Sequence, residues 1–150
     1  MASYTQPLSE HNFALMQQMQ VCLKTKTGHL PFPGTLIALL DTGCTQTLVG
    51  QGIIDQFQLA SKQKSNIYGI GGEKEVTIYQ GIEIVFPFHL PFNGGKFSLP
   101  IGCTGEYFSI NYPFNIIIGM DILTQGTFKI DGAKKQYSLI FPKNTLIPNK

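Results

Sequence analysis

Residues 36–50 read LIALLDTGCTQTLVG, an apolar run that stops on an aspartate. The chain has four aspartates, and one stands at the mouth of what reads as a buried strand, since Leu36-Ile37-Ala38-Leu39-Leu40 is short and apolar throughout. A carboxylate there is costly unless something uses or satisfies it. Gly43 permits a tight backbone turn, the Thr42 hydroxyl can bond across a close contact, and Asp41 is left pointing outward from a rigid base. Alone, Asp-Thr-Gly also reads as an Asx-type turn that ends a strand.

Other reactive side chains are scattered. Cys22, Cys44 and Cys103 form no C-x-x-C pair and have no nearby His at metal-ligand spacing, so no metal centre is expected and a reducing compartment suits them best. His11, His29 and His89 read as surface residues. Eleven Lys, no Arg and nine acids give a net charge of +2 without basic runs, which argues against nucleic acid as a partner. The first thirty residues contain no apolar run long enough for a signal peptide or membrane helix, so a soluble, cytoplasmic chain is favoured.

The elements that must position Asp41 follow from periodicity and punctuation. With 150 residues, 16 Gly, 9 Pro and 11 Phe, the chain fits one mostly β domain of short strands and turns. Met19, Val21 and Leu23 alternate across 18–24 as a half-buried strand, and Gly28 with Pro31-Phe32-Pro33-Gly34 turns the chain toward 36–40. Ile53, Ile54 and Phe57 suggest a short helix over 51–58. Three glycines around Ile70 mark a mobile hairpin tip within 67–81, followed by the alternating Val76 and Ile78. Residues 81–101 read as two strands joined near Asn93-Gly94-Gly95, kept off a central position by Pro87 and Pro91. A buried strand over 114–123 stops at Gly119 and starts a second short helix, and 128–141 closes as a hairpin near Asp131-Gly132. The expected division is a flexible N-terminal extension at 1–17, a domain at 18–141 and a tail at 142–150. Phe86, Phe88, Phe92 and Phe97, like Tyr107, Phe108, Tyr112 and Phe114, read as packing first and pocket lining second.

Three features recur in a fixed order: LLDTGCTQTLV around Asp41, the tip Gly69-Ile70-Gly71-Gly72, and Ile117-Ile118-Gly119 leading into Met120-Asp121-Ile122-Leu123. In that order, over residues 18–141, the chain resembles the retropepsin-like aspartic proteases, the single-domain relatives of retroviral proteases and of one half of pepsin. The resemblance implies an all-β closed acid-protease barrel with one or two short helices, one lobe per chain, active as a homodimer. Asp41 then looks like the catalytic aspartate, Thr42 like the residue whose hydroxyl locks two active-site loops together, and Gly43 like the glycine that lets substrate backbone approach. Gly69, Ile70, Gly71 and Gly72 resemble the substrate-covering flap, and Ile117, Ile118 and Gly119 the strand that supports the active-site loop. Cys44 stands where the family usually has Ala. Met120 stands where retroviral members often carry a dimer-bracing Arg.

Such a reaction needs two carboxylates, one protonated and one ionised to activate water. None of Asp55, Asp121 and Asp131 is followed by Thr-Gly or Ser-Gly, so the partner of Asp41 is expected from a second copy. The resemblance thus implies hydrolysis of a peptide or protein substrate, with no metal or organic cofactor. The alternatives are a non-catalytic retropepsin-like dimerisation or peptide-binding module and, below it, a thiol-dependent protein using Cys44, which lacks a nearby base.

Overall fold

The computed structural model describes residues 2–7, 16–34, 36–59, 63–69, 72–86, 96–103 and 114–141. Thirteen strands and two short helices occur among them, in the order β1 (Ala2–Pro7), β2 (Met16–Thr25), β3 (Gly28–Pro31), β4 (Leu36–Leu40), β5 (Leu48–Val49), α1 (Gln51–Phe57), β6 (Gln63–Gly69), β7 (Gly72–Tyr79), β8 (Ile82–Val85), β9 (Lys96–Ser98), β10 (Ile101–Cys103), β11 (Ile116–Ile118), α2 (Met120–Leu123), β12 (Thr127–Asp131) and β13 (Gln136–Phe141). The described residues are mostly β, with α1 and α2 the only helices among them, as the turn-rich composition suggested.

Ten strands form one curled sheet in the order β6-β7-β10-β5-β11-β4-β2-β8-β9, with β3 added to β2. Strand β2 is long enough to pair twice, with β4 through Met16–Met19 and with β8 through Gln20–Leu23. At the centre β11 runs parallel to β4, matching Ile116 to Ala38, Ile117 to Leu39 and Ile118 to Leu40, and antiparallel to β5. A parallel pair needs a long crossover, supplied here by everything between β4 and β11. Asn115 fixes the register at the entry, its N–H donating to Ile37 O at 2.8 Å and its Oδ1 accepting from Ile37 N at 3.3 Å.

A second, three-stranded sheet has the order β1-β13-β12. Strand β1 falls within the 1–17 segment and pairs antiparallel with β13 from Ala2↔Phe141 to Pro7↔Gln136. Tyr137, Leu139 and Phe141 alternate inward from β13 and carry this sheet onto the main core. Phe141 meets Phe97 and Phe86 at ring-centroid distances of 4.9 and 5.4 Å, so these two phenylalanines are core packing rather than pocket lining.

The helix expected at 51–58 is α1, which buries Ile53, Ile54 and Phe57 and ends at Gln58 in the left-handed region (φ 54°). The closing hairpin turns after Asp131, as the Asp-Gly pair indicated. Ile70, Gly71, Pro87, Phe88, His89, Pro91, Phe92, the Asn93-Gly94-Gly95 turn, Tyr107, Phe108, Tyr112, His11 and the 142–150 tail lie outside the described residues.

Candidate active site

Strand β4 delivers Asp41. Leu36, Ala38 and Leu40 are buried on one face, which anchors the strand, and Asp41 N donates to Ile118 O of β11 at 2.9 Å. The chain then turns back at once. Gly43 N donates to Asp41 Oδ1 at 2.8 Å and Cys44 N to Asp41 O at 3.2 Å. The Asx turn is therefore present, and it orients the carboxylate by one oxygen. Oδ2 makes no hydrogen bond among the described residues, and Asp41 is partly exposed beside the exposed Thr42 and Gly43. A Cβ at position 43 would stand 3.1 Å from Asp41 Oδ1, so glycine also keeps this carboxylate clear.

Beneath the loop the support is backbone to backbone. Met120 N donates to Cys44 O at 2.8 Å, and a Cβ on Gly119 would fall 2.8 Å from both Cys44 O and Gln46 C. Only glycine lets β11 pass this close. Thr47, fully buried, joins the loop to α2: its N–H donates to Asp121 Oδ2 at 2.9 Å and its hydroxyl to Asp121 Oδ1 at 2.7 Å, while Gly119 N donates to the same hydroxyl oxygen at 3.1 Å. Ile122 N also donates to Asp121 Oδ1, at 2.9 Å. Burial pushes the Asp121 carboxyl above its ordinary range, opposed by the bonds from Thr47 and Ile122.

The β6–β7 hairpin leans on the same loop. Ile67 is buried with Cys44, Leu48, Val76 and Ile78, against the half-buried Ile117, and Tyr68 N donates to Thr45 Oγ1 at 3.4 Å. Gly69 pairs with Gly72 at the last described rung, and Gly72 has a φ of 91°, where a side chain is strained. Tyr68 is 59% exposed on this arm.

The structure thus brings Asp41, Thr42, Gly43, Ile117, Ile118 and Gly119 into one substructure, with the arms carrying Gly69 and Gly72 fastened to it. The other aspartates are engaged elsewhere: Asp55 Oδ1 accepts from Gln51 Nε2, Asp131 Oδ1 from Lys134 N, and Asp121 from Thr47. Cys44 is buried and its thiol donates to Gln46 O at 3.1 Å. Burial first, and then the nearby Asp41 and Asp121 charges, raise its pKa, which makes it a poor nucleophile. Among the described residues no group of three or more His, Cys, Asp or Glu is arranged to hold a metal ion, and no helix is long and apolar enough to cross a membrane.

Sequence reading missed Thr47, Tyr68 and the bracing role of Asp121. The only available signal was the Thr-rich stretch after Asp41, which does not say which threonine turns inward. It also missed Glu83, buried on β8, whose Oε1 is bonded by His29 Nδ1 and whose Oε2 lies 3.4 Å from Lys96 Nζ.

These features define a class of fold. A structural comparison aligns the chain with the crystal structure of a retropepsin-like aspartic protease from Rickettsia conorii at a TM-score of 0.50, covering 85% of this chain and 95% of that one at 14% sequence identity. The fold is that of the retropepsin-like aspartic proteases. No protein-family model matches the sequence. No curated protein matches it either.

Proposed function

We propose that the chain is an aspartic endopeptidase that acts as a homodimer, with Asp41 of each copy forming the catalytic pair. The observation that carries this reading is the Asp41 carboxylate itself, held at the end of β4 with Oδ1 fixed by Gly43 N and Oδ2 uncommitted. One carboxylate supplies a base but not the second, protonated group, and no other described aspartate joins it. A two-fold axis beside the exposed Thr42 would place an identical carboxylate opposite.

In the pair, the ionised carboxylate takes a proton from water as the water oxygen attacks the carbonyl carbon of the scissile amide. The protonated carboxyl donates to the carbonyl oxygen as it gains charge. The tetrahedral adduct then collapses: the amide nitrogen takes a proton, the C–N bond breaks, and a carboxylic acid and an amine leave. Gly69, Ile70, Gly71 and Gly72 close over the peptide, while Ile117, Ile118 and Gly119 hold the loop from below.

Digestion of a diverse peptide pool by wild type and Asp41→Asn, read by mass spectrometry, tests this. Cleavage by wild type should fall at least about 100-fold in the variant, in line with loss of a general base. Equal cleavage by both proteins would assign the chemistry elsewhere. Peptide binding without cleavage would favour the non-catalytic binding module.

A further inference from the structure

A cavity of about 390 Å³ opens beside the Asp41 loop, lined by Thr45, Gln46, Leu99, Pro100, Asp121 and Gln125. Its size falls within the range of about 300–1,000 Å³ typical of small-ligand clefts. Thr45 is also the residue whose hydroxyl oxygen receives Tyr68 N from the hairpin arm, so the cavity adjoins the point where that arm is fastened to the Asp41 loop.

Apart from the Thr45 hydroxyl, the polar lining has one character. Gln46 Nε2 donates to Pro100 O at 3.2 Å and Gln125 Nε2 to Asp121 O at 3.0 Å. Each acceptor is a carbonyl, so each carboxamide turns its nitrogen to that carbonyl, and its Oε1 is left to accept. Asp121 Oδ1 already receives two hydrogen bonds and Oδ2 receives one, which leaves acceptor capacity on Oδ2. Leu99 and Pro100 add an apolar wall, and among the described residues no lysine lines the space. An acceptor-rich cleft with a carboxylate and an apolar wall fits a cation on a hydrocarbon stem. Several separated acceptors suit a planar, multiply donating head better than a point charge.

We infer that this cavity is an accessory subsite for an arginine side chain of a polypeptide, lying outside the Asp41 centre. A guanidinium would donate to Gln46 Oε1, Gln125 Oε1 and Asp121 Oδ2 while its methylenes lie along Leu99 and Pro100. Its consequence for cleavage, a preference for arginine at a position remote from the scissile bond, rests on the protease reading above. The binding itself does not.

The test is therefore a titration without catalysis. Nitrogen-15-labelled Asp41→Asn protein, in which the Asp41 carboxylate cannot bind the cation, is followed by NMR at pH 7. The probes are the N-acetyl N-methylamides of arginine, norleucine and glutamate. The arginine probe should produce saturable shifts at the Gln46 and Gln125 side-chain amides and the Thr47 backbone amide, with affinity at least about tenfold above norleucine, as charge-assisted bonds imply. Glutamate should produce none. Adding Gln125→Lys, which sets a cation in the cleft, or Gln46→Ala should weaken the arginine response while leaving the spectrum dispersed. Equal shifts from all three probes, no shift with arginine, or an arginine response unchanged in both variants would overturn the assignment, whether or not the wild type cleaves peptides.

Discussion

Thr47 and Asp121, 74 positions apart, are tied by two hydrogen bonds, one from the backbone and one from the hydroxyl of Thr47, each to a different carboxylate oxygen. This clamp joins the Asp41 loop to α2, one residue after Met120. It makes the loop's geometry depend on a half-buried acid.

Asp121→Ala should therefore lower stability by about 2–3 kcal/mol, because it leaves Thr47 N and Oγ1 buried without their acceptor. The carboxyl also titrates in a defined direction. Burial raises its pKa above the ordinary value of 3.8, so the folded protein holds this proton more tightly than the unfolded chain. The contribution is fully present below about 4 and is lost as pH rises through the raised value. Urea denaturation of wild type and Asp121→Asn across mild acid should show this decline in the wild type alone. A variant that lost stability in parallel would assign the titration to another group.

Gly119 and Gly102 both pass close to neighbours, but the neighbours differ. A methyl on Gly119 would meet backbone atoms of Cys44 and Gln46, whereas one on Gly102 would meet Leu48 Cδ2 at 2.7 Å, the end of a movable side chain. Gly119→Ala should cost about 3 kcal/mol and Gly102→Ala about 1 kcal/mol. Thermal denaturation of the pair ranks them, and the reverse order would show that the β11 crossing is not tight.

Cys44 should resist modification in the native protein. Iodoacetamide at pH 7.5, with mass mapping after quenching, should leave Cys44 unlabelled until the protein is unfolded, since its thiol is buried and its pKa raised. Cys44→Ala should retain peptide cleavage. Loss of cleavage that tracks labelling of Cys44 would revive the thiol-dependent reading.

Two lysine–glutamate pairs among the described residues make unequal demands. Glu83 is buried and held by His29 and Lys96, while Lys64 and Glu75 meet at 3.3 Å with both side chains mostly exposed. Lys96→Met should destabilise by about 1–2 kcal/mol, less than a fully buried partner because Lys96 is partly solvated and His29 remains. Lys64→Met should change stability by less than about 0.5 kcal/mol. Equal effects in urea titrations would mean that water still solvates Glu83.

What the sequence revealed was local. The unbroken apolar run of β4, the alternation of β13, the Ile53-Ile54-Phe57 face of α1 and the glycines of the β6–β7 hairpin each carry a period or a breaker within a few residues. The two residues of β5 are too few to show a period. Strand β1 packs against β13, far along the chain, so nothing near it marks its pairing. Glu83 was hidden because Ile82 and Ile84 suggest a strand with one polar face, whereas both faces of β8 are covered. The Thr47–Asp121 clamp was hidden because Asp121 also reads as an ordinary residue in the first turn of a helix.

The parallel pairing of β11 with β4 also governs when the site can exist. Asp41 and the loop after it belong to the first third of the chain, yet the carbonyl that receives Asp41 N, the amide that holds Cys44 O and the acid that holds Thr47 all come from residues 118–121. These contacts have high sequence separation, and such contacts form late because loop closure precedes any reward. A chain emerging from the ribosome therefore carries its aspartate long before it carries the geometry that would make that aspartate useful.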